Sequence, residues 1–258
     1  MPKSPALVRI NWLIALPLVA LADTAPPQGI GVWPTLRPQF YGTRNIGEVG
    51  DELMSVEAPA STPDPSATPV TIHFGAALAG ALKQVRVIID NNPSPVVATF
   101  DVSPTLPVDE IDLRVRIDRF TSVRAIAETT DGRLEMRSTW VNASGGCSAP
   151  PSAASGGTLG EIRLRPSSEG KALQVSIRHP NNSGFQIDPR TGDAIAPHFI
   201  SHITLRSGEK TLLAADTGIS ISENPTLRIA ARTPLPAPLT VEATDVPTQA
   251  RYTATWKP

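Results

Sequence analysis

Twenty-seven prolines spread through 258 residues leave little room for long helices. Inside a helix each proline removes a backbone donor and clashes with the preceding turn. The stretches between them alternate with period two. Val85, Val87 and Ile89 share one side of a run. Leu113, Val115 and Ile117 alternate with Asp112, Arg114 and Arg116, and Val123, Ala125 and Ala127 extend the pattern. Asp131-Gly132 then separates that run from Leu134 and Met136, a hairpin signal because both residues tolerate positive φ. The second half repeats the design in Leu173, Val175 and Ile177, in the runs flanking Ser207-Gly208, and in Leu227 to Ile229, Leu239 to Val241 and Tyr252 to Trp256. About six or seven short strands per half predict an all-β chain of two β-sandwiches. One short helix is predicted near Trp33 to Asn45.

Hydrophobic residues make up 40% of the chain and charged residues 18%, enough apolar material for a core and too little charge for a disordered polyelectrolyte. A net charge of −1 excludes nucleic-acid binding driven by bulk charge. A single cysteine excludes an intramolecular disulfide framework, a multi-cysteine zinc site and a thiolate-held iron–sulfur cluster. Lys3 and Arg9 precede an apolar run from Trp12 to Ala22, which ends in Ala20-Leu21-Ala22. Those are the parts of a cleaved secretory signal over residues 1–22. The run is too short to span about 30 Å of hydrocarbon, so no membrane segment is expected after cleavage.

Residues 143–160 carry no charge and one large apolar side chain, Leu159. Such a Gly/Ser/Pro-rich stretch predicts a flexible linker between a domain at 23–142 and a second at 161–258. Residues 23–150 hold 10 basic and 15 acidic side chains, and residues 151–258 hold 11 and 9, opposite net signs that favour docking of the halves as a pseudo-heterodimer. Cys147 sits in this stretch behind Gly145 and Gly146. Five residues from Ala143 to Cys147 reach about 17 Å when extended, which predicts an exposed thiol on a mobile arm. Three readings stay open on context alone: a covalent carrier, an intermolecular disulfide, or a linker cysteine without a role. No basic side chain lies near it in sequence to activate the thiol.

His198 and His202 have a spacing that places two imidazoles over one ion on a helix. Their segment reads as a strand, where four residues span about 13 Å, so a shared metal is not expected. His179, before Pro180, reads as an edge or interface histidine. No nucleophile elbow, phosphate loop or paired-carboxylate motif is present, so no catalytic residue, metal or cofactor is expected. Asn142-Ala-Ser144 and Asn181-Asn-Ser183 fit the glycosylation triplet.

Asn92-Pro-Ser-Pro-Val-Val-Ala-Thr-Phe100, with the run to Ser144-Gly-Gly-Cys147, resembles the SoxY sulfur-carrier subunit of thiosulfate oxidation. Ile177-Arg-His-Pro-Asn-Asn-Ser-Gly184, Ile195 to Ile200 and Ser220 to Leu227 resemble its partner SoxZ. In order and fusion the chain is similar to SoxYZ-like carriers associated with quinoprotein dehydrogenases. The resemblance implies two immunoglobulin-like sandwiches and a non-enzymatic periplasmic carrier. Its Cys147 would hold a sulfur intermediate on an arm made by Gly145 and Gly146. The implied partners are periplasmic redox or sulfur-processing enzymes, a quinoprotein dehydrogenase among them. The alternative role is a non-carrier accessory or assembly protein for a PQQ-dependent quinoprotein dehydrogenase. The family's cysteine lies near a free C-terminus, whereas here Ser148-Ala-Pro-Pro follows and the arm is tethered at both ends.

Overall fold

The computed structural model describes residues 31–152 and 157–258. The expected signal segment and residues 153–156 of the linker lie outside the described residues. The first half holds helix α1 (Trp33–Tyr41), strands β1 (Gly47–Glu48), β2 (Met54–Glu57) and β3 (Thr68–Phe74), and helix α2 (Ala76–Ala79). Strands β4 (Leu82–Ile89), β5 (Val96–Val102), β6 (Val108–Val115), β7 (Thr121–Thr129) and β8 (Leu134–Val141) complete it. The second half holds β9 (Ile162–Pro166), β10 (Ala172–Ile177), β11 (Phe199–Ser207), β12 (Lys210–Thr217), β13 (Thr226–Ala231), β14 (Leu239–Val246) and β15 (Arg251–Trp256). The fold is all-β, as expected. No described helix is long and apolar enough to cross a membrane.

Local signals translate directly. β7 and β8 form an antiparallel hairpin around Gly132, whose φ is +84°. β11 and β12 do the same around Gly208, with φ +56°. The alternating residues Val85, Val87, Ile89, Val123, Ala125 and Ala127 are all fully buried. Helix α1 covers the outer face of the sheet, where Tyr41 joins Ile88, Ile126, Leu134 and Met136 in a small second core. Arg124 lies over the Trp33 ring at 4.8 Å, a cation–π contact that fastens the helix start.

The halves join more intimately than docking of two closed sandwiches. One sheet has nine strands in the order β1-β8-β7-β4-β5-β12-β11-β14-β15, and the other has six, β2-β3-β6-β13-β10-β9. Both sheets therefore run through both halves. β5 pairs with β12, setting Phe100 opposite Ala215, and β6 pairs with β13, setting Ile111 opposite Ile229 and Leu113 opposite Leu227. Each of these four strands would otherwise be an edge with a row of unpaired backbone groups. A single apolar cluster spans both halves, from Ile72, Val85 and Phe100 to Leu173, Ile203 and Val241. Charge plays a smaller part: Arg228 on β13 meets Asp112 on β6 at 2.9 Å and also touches Glu110, but the groups are partly exposed.

A chain cut once at 153–156 is therefore expected to elute from a sizing column as one species at micromolar concentration. The Ile229→Asp variant of the cut chain, which buries a carboxylate in the shared core, should separate into two. Separation of the unmodified cut chain would show that strand pairing at the junction is too weak to hold the halves.

Candidate functional site

The approach to Cys147 starts at the end of β8. Asn142 forms a bridge with Ser61, and the chain then lies back along the segment that follows β6. The N–H of Gly145 donates to the Asp118 carbonyl at 2.8 Å, and that of Gly146 to the Ile117 carbonyl at 2.9 Å. Gly145 has φ +77°, a conformation that side-chain-bearing residues enter at a cost. At Gly146 the need for glycine is steric. A Cβ there would run into the carbonyl oxygens of Pro65 and Ile117, both rigid backbone atoms.

The second half closes over the same segment. The Ser183 hydroxyl donates to the Cys147 carbonyl at 2.5 Å, and Gln186 Nε2 donates to the Ala149 carbonyl at 3.1 Å. Gln186 Oε1 in turn accepts the Ser183 N–H at 2.8 Å. Farther along, the Ser152 N–H and hydroxyl both donate to the Glu223 carboxylate. Cys147 is left 1% exposed. Burial pushes its thiol up to about 12, assisted by the Asp118 charge and opposed by Arg116.

This corrects the exposed arm expected of Gly145, Gly146 and Cys147. Residues 144–152 lack apolar bulk, but small side chains let their backbone lie directly on other backbone. Hydrogen bonds, rather than apolar burial, hold them. The structure gives the thiol a sheltered position between the halves.

Arg116 lies beneath the segment. It alternates with apolar residues, so it reads as part of a solvated strand face, yet it is only 2% exposed. Its Nη1 donates to the Gly146 carbonyl at 3.4 Å and its Nη2 to the Asn181 carbonyl at 3.3 Å. Asn92 fixes this stretch: its side chain donates to the Arg116 carbonyl at 2.7 Å and to Ser220 Oγ at 3.0 Å, and accepts the Asp118 N–H at 2.9 Å. Asn181, the first residue of one glycosylation triplet, is fully buried, with its side chain spent on Ile221 and Ile200 backbone.

Asn181 also connects to a second polar group. Its N–H donates to His179 Nδ1 at 3.1 Å, which leaves the ring proton on Nε2. His179 is buried rather than at an edge. Its Nε2 lies 3.5 Å from Asp245 Oδ2 and 3.2 Å from His198 Nε2. His198 Nε2 approaches the same carboxylate oxygen to 2.8 Å, and the Tyr252 hydroxyl donates to it at 3.0 Å. The other oxygen accepts from Thr248 and from the Ala250 N–H. Burial alone would raise Asp245, but the donors from Thr248, His198, Tyr252 and Ala250 hold it below the usual carboxylate range. His202 takes no part and pairs with Asp216 on the surface at 2.7 Å.

His179, His198 and Asp245 place their ligand atoms within 4.8 Å of one another, close enough for one cation. The hydrogen bonding argues for a different use. A histidine ligates through an unprotonated nitrogen, and the Asn181 N–H blocks movement of the His179 proton to Nδ1. The group is a buried carboxylate filled by donors, and it anchors the loop that carries Asn181 and Ser183.

Burial and the neighbouring His198 lower His179 from 6.5 to about 4. The folded state thus resists protonation that the unfolded chain accepts. Stability from neutral His179 is complete above about pH 6.5 and is lost as pH falls through about 4. Urea unfolding across this window should show the loss. His179→Gln should flatten it while costing about 1–3 kcal/mol at pH 7, the penalty for buried donors and acceptors left unpaired. An unchanged slope would remove His179 as its cause.

Residues 37–147 match the family model described as sulfur oxidation protein SoxY, ending on Cys147 itself, and residues 162–256 match that of sulphur oxidation protein SoxZ. Among solved structures, the sulfur carrier protein SoxY from Chlorobium limicola f thiosulfatophilum is 22% identical. That match covers 42% of this chain and 93% of the other, with a TM-score of 0.36. The BSP domain of a biofilm-associated protein is 12% identical over 80% of this chain and 30% of its own, with a TM-score of 0.25. A search of curated proteins finds no match. The two family matches follow one another along one polypeptide and meet at the segment that holds Cys147: the chain is a SoxYZ-like fusion, a SoxY-family half joined to a SoxZ-family half.

Proposed function

We propose that this protein is a periplasmic carrier that holds a sulfur intermediate on Cys147 and presents it to partner enzymes by releasing residues 144–152 from their bed between the halves. The observation that carries the reading is the position of the chain's single cysteine. It ends the SoxY-family match and lies where both halves contribute hydrogen-bond partners to the same segment. The thiolate is the nucleophile in sulfur exchange, and burial suppresses it. Reaction therefore follows release of the segment, which returns the thiol to water and to its ordinary acidity. Cleavage of the signal over 1–22 delivers the carrier to the periplasm, where sulfur-processing enzymes are its partners. The role is delivery, and the partners perform the catalysis.

One observation favours a second reading. A cysteine at 1% exposure also suits a purely structural residue, which would make the protein an accessory or assembly factor for a quinoprotein dehydrogenase. Intact mass analysis of protein isolated from its native periplasm separates the two. Sulfur adducts on Cys147 are expected for the carrier. A bare thiol, together with full activity of Cys147→Ser in the host, would leave the accessory role.

The release step has its own test. In the native fold Cys147 should react slowly with a neutral thiol reagent. Gly146→Ala should accelerate labelling at least about tenfold, because its Cβ forces the segment off the Pro65 and Ile117 carbonyls and each 1.4 kcal/mol of lost closure is a factor of ten. Equal rates in both proteins would mean that the thiol reacts without release of the segment.

A further inference from the structure

A short piece of chain connects the histidine group to the Cys147 segment. Ile177 ends β10, Phe199 begins β11, and the loop between them carries His179, Asn181, Ser183 and Gln186. Ser183 holds the Cys147 carbonyl, Gln186 holds the Ala149 carbonyl, and the Asn181 carbonyl accepts from Arg116 beneath the segment. Asn181 has φ +46°, a conformation that a residue with a side chain keeps where its surroundings fix it. Its side chain is tied to the Ile221 carbonyl and the Ile200 N–H, and its own N–H donates to His179 Nδ1 at 3.1 Å. The last of these bonds depends on a proton. Neutral imidazole accepts at one nitrogen, whereas imidazolium is a donor at both. On a charged ring the Asn181 N–H would face a second donor and has to leave.

The closed loop disfavours that charge. The His179 side chain is shut off from water. His198, Asp245 and Tyr252 face it, and Arg178 and Glu223 line the cleft beside it. Asp245 favours imidazolium, but its two oxygens already accept from His198, Tyr252, Thr248 and Ala250. Burial first and His198 second therefore hold the ring down, from 6.5 to about 4. A loop lifted into water returns the ring to its ordinary acidity.

We infer that His179 is an acid-operated catch on the Cys147 segment: its protonation expels the Asn181 N–H, frees the loop that carries Ser183 and Gln186, and so exposes the thiol. This deepens the carrier reading, on which it rests for the use made of the exposed thiol, by giving the condition under which residues 144–152 leave their bed. The open loop takes up the proton below about pH 6.5 and the closed loop only near 4. Opening therefore increases as pH falls, about tenfold per unit between those values, and levels off below them.

The test measures how well the full chain protects Cys147 from 4,4′-dipyridyl disulfide, which labels thiols in mild acid. Protection is the labelling rate of the same chain in urea divided by the native rate, at each pH. In the wild type it is expected to fall at least about tenfold from pH 7 to pH 5. His179→Gln, which offers an acceptor and takes up no proton, should hold protection level across that range, while Glu223→Gln, which alters the carboxylate gripping Ser152, should keep the wild-type slope. Amide exchange of the wild-type chain gives a readout that needs no variant. The Asn181 amide should lose protection in step with the thiol, while Val85 and Val87 of β4 stay protected.

Level protection of Cys147 in the wild type overturns the proposal. So does a loss that follows the β4 amides, which would be unfolding of the whole molecule, or a slope that survives His179→Gln or vanishes in Glu223→Gln. Acid opening in a protein whose Cys147 never bears sulfur in the host would leave the catch and end the carrier role. Sulfur on a Cys147 whose protection ignores pH would do the reverse.

Discussion

The structure depends on backbone pairing between β5 and β12 and between β6 and β13. These two ladders turn four edges into interior strands and place both halves around one core. They also set the position of everything polar at the junction. Arg116 follows β6 directly, and its N–H donates to the Ser220 carbonyl of the second half at 2.7 Å. Asn92 reaches Ser220 Oγ, and Ser220 Oγ donates back to the Ser94 carbonyl. The bed beneath Cys147 exists only because the halves are held in that register.

Much of the fold was legible because it is local. Asp131-Gly132 and Ser207-Gly208 mark hairpins through backbone angles that a few residues decide. Val123, Ala125 and Ala127 mark a buried face through a period that needs no partner. The shared sheets were not legible, because alternation looks the same on an edge strand and on an interior one. Phe100 and Leu227 announce a buried face without saying which strand lies beside them.

The site shows the same division. Cys147 and its glycines stood out at once, but their burial did not, since a run of small residues reads as mobile whenever apolar content is the guide. What orders them is a set of donors far away in sequence: Ser183, Gln186 and Glu223. Arg116 was hidden by its own pattern, as a charged residue in an alternating run normally faces water. Asp245 carried no local signal. Its meaning comes from His179, His198 and Tyr252, brought to it from separate strands and loops. The Asn181-Asn-Ser183 triplet was the nearest legible hint, and it links the histidine group to the Cys147 segment through fixed hydrogen bonds.

The way residues 144–152 are fastened has a consequence for how they come loose. Side-chain and backbone hydrogen bonds hold them, while the large apolar side chains of the core belong to the strands around them. Undocking such a segment uncovers little apolar area, and the response of an opening reaction to denaturant scales with the area it uncovers. Its exposure therefore belongs to the class of local fluctuations whose free energy stays nearly flat in urea, well separated from the steep global transition. Amide hydrogens of Gly145 and Gly146 would exchange through that shallow route while the paired strands on either side wait for the whole molecule to unfold. Access to the thiol is thereby uncoupled from the stability of the frame that positions it.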